Sequence, residues 1–288
     1  MSLVTTIEEW NQWVGQVDRK NHTLGFVPTM GFLHEGHLSL IRKAKEDNDF
    51  VAVSVFVNPT QFAPGEDYEN YPRDIERDYK LAIAAGADVV FHPDAKEIYG
   101  TNCQTAVELG GEMTKKLCGV SRPTHFKGVT TVVTILFNIL RPDRAYFGQK
   151  DAQQGIIIQK MVRDLHQSVK VFLCPIVREA DGLAMSSRNI FLNPEERKQA
   201  TCLNKALQLA EDYVKSGVED GTKIEKLTQL IRDHIGEQSL AAIDYIQILD
   251  GETLEEMEHI EAGRPVLAAV AVKFGKTRLI DNKMLSIS

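Results

Sequence analysis

Cysteine is scarce in this chain, and no two of the four residues (Cys103, Cys118, Cys174, Cys202) stand in a C-x-x-C spacing. That excludes the usual cysteine-built metal and redox motifs. In 288 residues such cysteines read as reduced, mostly buried thiols of a cytosolic protein. Long apolar runs are missing too: none approaches the roughly 20 residues that a membrane-spanning helix needs. Met1-Ser2-Leu3-Val4-Thr5 has no basic segment leading into an apolar one, so no secretory signal is expected. There is no basic block: 33 Lys and Arg against 40 Asp and Glu leave a net charge of −7, which argues against a nucleic-acid partner. No internal repeat or low-complexity tract appears. The remaining balance, 43% hydrophobic and 25% charged, is that of an ordinary soluble globular protein. The length suits one large domain or two of ordinary size. The expectation is a cytoplasmic protein with no membrane and no nucleic acid among its partners.

Against this background the stretch Pro28-Thr29-Met30-Gly31-Phe32-Leu33-His34-Glu35-Gly36-His37 stands out. The β-branched, apolar segment Thr23–Val27 precedes it as a strand, and Pro28 should halt the ladder. Leu38, Ile41 and Ala44 follow at helical spacing. A glycine-bearing strand-to-helix turn lets the backbone approach a phosphate, and the first helical N–H groups are unpaired donors. Two imidazoles there can donate to phosphate oxygens and relieve charge that grows during reaction. A single histidine is most often an ordinary surface or core residue. The zinc-protease signature needs H-E-x-x-H on an established helix, whereas this pair is three apart across Gly36. No third ligand is evident nearby, so no protein metal site is nominated. The H-x-G-H spacing is similar to the nucleotidyltransferase signature of class I aminoacyl-tRNA synthetases and related adenylate-forming enzymes.

Downstream, strands are expected at Phe50–Val57, Val89–Phe91, Asp143–Phe147 and Val169–Val177, with helices at Arg73–Ala85, Val129–Leu140 and Ala152–Leu165. The nearly continuous β-branched run from Phe50 to Val57 suits a strand buried on both faces. Strands alternating with helices imply right-handed βαβ units and a doubly wound, Rossmann-like parallel sheet. Ligands bind such sheets beyond the carboxyl ends of the strands. After Asn193 the pattern changes to two amphipathic helices, Pro194–Val214 and Lys223–Ile235, separated by Gly217–Gly221. Strands follow at Ile243–Leu249, Val266–Phe274 and Thr277–Ile280, with Gly275-Lys276 as a tight turn. We therefore expect an α/β domain over residues 1–177 and a smaller α+β domain over residues 178–288.

Four loops should then share one sheet edge, and each is polar or glycine-rich. After Val57, Asn58 and Gln61 carry amides that donate and accept, suited to a small hydroxylated substrate; an Asn-Pro turn is the plainer reading. After Phe147, Gly148 permits close approach, Lys150 sets a mobile ammonium near a helix start, and Gln154 follows one turn later. Asp151 could be a helix N-cap. After Val177, the Asp181-Gly182 turn leads to Met185-Ser186-Ser187-Arg188, two hydroxyls and a guanidinium for phosphate oxygens. Arg122, in Ser121–Phe126, is a candidate anion contact or simply a surface arginine.

Taken together, P-T-M-G-F-L-H-E-G-H (28–37), F-V-N-P-T-Q-F (56–62), Y-P-R-D (71–74), S-R-P-T-H-F (121–126), R-P-D-R (141–144), F-G-Q-K-D-A-Q-Q (147–154) and R-E-A-D-G-L-A-M-S-S-R-N (178–189) resemble the pantothenate synthetase (pantoate–β-alanine ligase) family. The remaining third matches only in length and general pattern. The resemblance implies that ATP and (R)-pantoate form pantoyl adenylate and pyrophosphate, after which β-alanine attacks the acyl carbon to give pantothenate and AMP. It implies that Met30, Gly31, Phe32, Leu33, His34, Glu35, Gly36 and His37 contact ATP, with His34, His37 and Lys150 catalytic. Gly148, Gln149, Lys150, Asp151 and Val177 would line the nucleotide site, and Met185, Ser186, Ser187 and Arg188 would close over the triphosphate. Gln61 and Gln154 would hold pantoate, with Asn58 and Arg122 as further substrate contacts. Mg²⁺ would arrive with the nucleotide, and a homodimer is implied. Many family members carry Glu at the positions of Gln149 and Cys118 and an aromatic at that of Ala152, so no role of an acid at 118 transfers.

Two other readings use the same motif. An adenylyl- or cytidylyltransferase would keep the nucleotide in its product and release no AMP. A nucleotide sensor would bind ATP without turnover, against which stand the reactive residues of all three phosphate-contacting loops.

Overall fold

The structure, a computed structural model, describes residues 2–63, 65–66, 68–216 and 223–285. The expected Gly217–Gly221 connection lies outside the described residues. The described chain divides into two compact units, the first formed by residues 1–114, 119–148 and 157–175, the second by 115–118, 149–156 and 176–288.

The first unit contains β1 (Ser2–Val4), α1 (Ile7–Gly15), β2 (Leu24–Thr29), α2 (Glu35–Asp47), β3 (Phe50–Val55), α3 (Ile75–Ala84), β4 (Val89–Phe91) and α4 (Ala95–Tyr99). After α5 (Cys118–Ser121), whose first residue belongs to the second unit, come α6 (His125–Leu140), β5 (Arg144–Gly148), α7 (Ala152–Asp164), whose residues 152–156 belong to the second unit, and β6 (Lys170–Cys174). The strands form one parallel sheet in the order β1-β4-β3-β2-β5-β6. Side chains alternate across the pleat. Phe26 and Ala52 pack with Trp10 of α1 and Val129 and Val133 of α6, while Val27, Val51 and Val53 pack with Ile41 of α2 and Ala82 of α3. Both faces are covered, as the uninterrupted apolar strands demand.

Helix α6 begins four residues before its expected start. Its threonines do not weaken it, because Thr130 and Thr131 donate to carbonyls one turn back and to Val107. Strands β3 and β6 end short of expectation, at Val55 and Cys174. Pro28 does not halt its strand: it pairs with Ser54 in the β2–β3 ladder. The Thr23 and Thr29 carbonyls accept from β3 and the residue after it, and the Leu24 carbonyl accepts on the β5 side. Alternation thus aims the Pro28 nitrogen toward the β5 side, beyond the last β2–β5 pair at Phe26. The missing N–H costs no ladder bond.

The second unit contains α8 (Pro194–Ala200), α9 (Cys202–Lys215), α10 (Ile224–Gly236) and an antiparallel sheet of β7 (Ala241–Asp250), β8 (Val266–Phe274) and β9 (Thr277–Leu285). The single helix expected over Pro194–Val214 is two, parted at Thr201, whose hydroxyl donates to the Lys198 carbonyl at 2.9 Å. Gly275 adopts φ +57° in the two-residue turn between Phe274 and Thr277. Leu203, Leu207, Leu227 and Ile231 of α9 and α10 close over Val270 and Val272 of the sheet.

Candidate active site

In the first unit, β2 and β5 are sheet neighbours although β3 and β4 intervene in sequence. This reversal of strand order is where open α/β sheets bind ligands, beyond the carboxyl ends. The H-x-G-H loop leaves β2 there. The Thr29 hydroxyl donates to the Ser54 carbonyl at 2.7 Å and accepts from the Gly31 amide at 3.1 Å. Gly31 (φ +87°) and Phe32 (φ +52°) are both left-handed, which turns the chain sharply into α2. The buried carboxylate of Asp78, on α3, accepts from the Phe32 and Leu33 amides, both at 2.7 Å.

His34 is the N-cap of α2. Its Nδ1 accepts from the Gly36 amide at 3.2 Å, while Nδ1 of His37 accepts from the His34 amide at 3.3 Å. A histidine thus fills each half of a capping box. The rings lie 4.1 Å apart, tilted by 37°. Because Nδ1 is an acceptor in both, each neutral ring carries its proton on Nε2. The amides of Gly31, Phe32, Leu33, His34, Gly36 and His37 all have acceptors within the protein. Most of the amides expected to be unpaired in this turn are therefore engaged within the protein, and the imidazole N–H groups are side-chain donors it can offer a phosphate. Glu35 pairs with Arg42, which holds its carboxyl below the usual range.

After β3, a 3₁₀ turn over Pro59–Gln61 carries the two amides. Asn58 is 1% exposed, and its amide is fully engaged. Its Nδ2 donates to Gln61 Oε1 and the Gly128 carbonyl, both at 3.2 Å, and its Oδ1 accepts from Tyr99 and Thr60. Gln61 Nε2 donates to the Met30 sulfur at 3.0 Å. Helix α6 comes so close that a Cβ on Gly128 would lie 2.4 Å from the Thr60 carbonyl oxygen. Arg122 is not a loose surface residue: it pairs with both oxygens of Glu66 at 2.8 Å and donates to the Gln61 carbonyl at 3.2 Å. It keeps the Glu66 carboxyl below its ordinary range. A cavity of about 600 Å³ opens beside Met30, lined also by Val57, Tyr68, Arg73 and His92, but not by His34, His37 or Gln61.

In the second unit, Lys150 lies in a 3₁₀ turn over Gln149–Asp151. Asn282 of β9 donates its Nδ2 to the carbonyls of Gln149 and Lys150, at 2.8 and 2.9 Å. The adjacent Asp281 makes a two-pronged pair with Arg178, at 2.7 and 3.1 Å. Arg178 opens the hairpin in which the Met185 amide donates to the Val177 carbonyl at 3.0 Å. Beyond it, Ser186 accepts from the Arg188 amide, and Asn189 donates to Glu179 and the Ala184 carbonyl. The Arg188 side chain is exposed, without an ion-pair partner among the described residues. Gln153 is fixed to Lys116 and Cys118, whereas the half-buried Gln154 has no amide partner among the described residues. Ala152 is buried. At the position where many relatives of the resembled family carry Glu, the Cys118 sulfur lies 3.7 Å from Arg278 and 3.6 Å from the Tyr245 hydroxyl, which burial pushes up.

A family model described as pantoate-beta-alanine ligase matches residues 2–284. The chain belongs to the pantoate–β-alanine ligase family. A pantothenate synthetase of Acetivibrio thermocellus is 53% identical over 287 residues, covering 100% of both chains. The crystal structure of pantothenate synthetase from Thermus thermophilus matches with a TM-score of 0.89 at 43% identity, over 98% of this chain and 99% of that one. A pantoate-beta-alanine ligase from Francisella tularensis, solved with beta-gamma ATP and beta-alanine, gives a TM-score of 0.77 at 34% identity, over 99% and 97% of the chains. Membership makes the chain an enzyme, an ATP-dependent ligase that forms pantothenate.

Within the first unit the structure brings Met30, His34, His37, Asn58 and Gln61 to one sheet edge; within the second it links the turn of Lys150 to the Val177–Arg188 segment through β9. Asp78, Asp281 and Asn282 were not singled out by sequence. Asp74 advertises itself as the N-cap of α3, but Asp78, one turn later, looks like any solvated helical acid. Nothing local marks Asp281-Asn282 in its strand.

Proposed function

We propose that ligation runs through a pantoyl adenylate, with each loop contributing one part. The pantoate carboxylate attacks the α-phosphorus of ATP and pyrophosphate leaves; the amine of β-alanine then attacks the acyl carbon and AMP leaves. The observation that carries this reading is the pair of imidazoles at the switch point of the sheet, each with Nδ1 fixed by a backbone amide and the two rings 4.1 Å apart. Negative charge grows on the phosphate oxygens in the transition state, and fixed donors relieve it without a proton changing hands. His34 and His37 take that role, Lys150 adds an ammonium, and Ser186, Ser187 and Arg188, with Met185, embrace the triphosphate. Gly31–Leu33, Glu35, Gly36, Gly148, Gln149, Asp151 and Val177 line the nucleotide. Gln61 and Gln154 hold pantoate, and Asn58 and Arg122 act by fixing Gln61. Residues 1–177 recognise nucleotide and pantoate, and residues 178–288 cover the triphosphate. Mg²⁺ would arrive with the nucleotide and offset triphosphate charge, with no protein ligand nominated for it. The free thiols support a reducing, cytoplasmic setting, and the family resemblance supports a homodimer.

The test is release of pyrophosphate and AMP from ATP, with pantoate alone and with pantoate plus β-alanine. The expected result is pyrophosphate in both cases and sustained AMP formation only with β-alanine. A nucleotide retained in the product, with no AMP, would instead mean a nucleotidyltransferase.

A further inference from the structure

We propose that Asp78 is the positioning residue of the H-x-G-H loop and that, with Arg77, it sets the imidazoles for the transition state. The proposal rests on the reading of His34 and His37 given above. Asp78 is 1% exposed, so its carboxylate has lost water and needs replacement donors. It finds two backbone donors, the Phe32 and Leu33 amides, both at 2.7 Å, and a longer one in Arg77 Nη1 at 3.4 Å. Phe32 and Leu33 are the two residues immediately before His34. Arg77, the preceding residue of α3, donates Nη2 to the Leu33 carbonyl at 3.0 Å. Its guanidinium lies 5.2 Å from the centre of the Phe32 ring and 3.4 Å from the Asp78 carboxylate. The helix therefore grips the turn by its N–H groups, its carbonyl and its one aromatic ring.

The turn needs such a grip. Phe32 has a side chain yet sits at φ +52°, a conformation that L residues disfavour and that persists only where surroundings impose it. Gly31, at φ +87°, is held to glycine from the other side: a Cβ there would lie 2.8 Å from Asp78 Oδ2. The clamp also sorts the donors. By taking the Phe32 and Leu33 amides it withdraws them from phosphate recognition, which on the reading above falls to the side chains of His34 and His37. The His34 amide, next in line, then serves His37 Nδ1. Displacing Leu33 would shift the His34 backbone, and with it both imidazoles.

Asp78→Asn keeps the shape but sets an amide donor against one backbone N–H. A misplacement near 1 Å costs about 100-fold in rate, so D78N should lose about 10- to 100-fold in kcat. The KM for ATP should change less than about 3-fold, because the misplaced groups act mainly on the transition state. Combination with His37→Ala separates positioning from general structure. If Asp78 works through the imidazoles, the D78N loss shrinks at least about 3-fold in the H37A background, what remains falling on His34. The same loss in both backgrounds, or full kcat in D78N, would overturn the clamp. Should D78N fail to fold, Arg77→Leu serves in the same cycle, with a loss of about 3- to 10-fold that likewise shrinks beside H37A; an additive loss overturns the proposal equally. Unimpaired turnover by H37A would overturn the functional reading and the clamp with it. A damaged H37A with additive D78N and R77L would remove the clamp alone.

Discussion

Each imidazole of the H-x-G-H loop has two nitrogens, and in both rings a backbone amide occupies Nδ1. The side chain that matters is therefore one that delivers a donor at the distance of Nε2. His37→Ala should lower kcat by about 100- to 1,000-fold, the loss typical of a donor that stabilises developing charge. Of the two amide replacements, His37→Gln should retain more activity than His37→Asn, because the glutamine nitrogen reaches about as far as Nε2 while asparagine ends near Nδ1. Steady-state kcat with all substrates saturating measures this, and equal or reversed activities would mean the rings do not act through Nε2. The histidines, Gln61 and Lys150 stand out in the sequence as candidates because their residue types carry chemistry. Asp78 does not, since its importance comes from burial against a turn 45 residues away. Asn58 and Arg122 were legible as polar residues, but their bonds to Gln61 were not.

The elements with the clearest sequence signals fall where expected: β4, β8 and the Gly275-Lys276 turn keep their bounds, and α3 and α10 move by a residue or two. Misreadings arose where neighbours override a local signal. Pro28 reads as a strand breaker, yet it stands on the side of β2 where no ladder partner remains. Thr201 parts α8 from α9 through one hydroxyl bond that apolar periodicity cannot register. Strand β9 carries more than its alternating pattern suggests, because consecutive residues brace two loops: Asn282 the turn of Lys150, and Asp281 the hairpin that leads to Ser186. Asn282→Ala would leave two carbonyls without their donor and loosen that turn. We expect kcat/KM for ATP to fall about 10-fold while the KM for pantoate holds, by analogy with other small displacements of catalytic groups. Unchanged kinetics beside a lowered melting temperature would confine Asn282 to stability.

For the whole molecule, alternation of strand and helix led to the parallel sheet, and the later change of pattern led to the small antiparallel one. What alternation cannot give is strand order, because β1 joins the edge beside β4 rather than β2. That pairing, with the reversal between β2 and β5, sets the H-x-G-H loop at the switch point of the sheet. On the proposed reading, the pantoate carboxylate attacks the α-phosphorus of ATP at this edge. Pantoate labelled with ¹⁸O in its carboxylate, turned over with ATP and β-alanine, tests it most directly by mass analysis of the nucleotide product. One labelled oxygen is expected in the AMP phosphate and none in pyrophosphate. Unlabelled AMP, or label in an inorganic phosphate product, would contradict it.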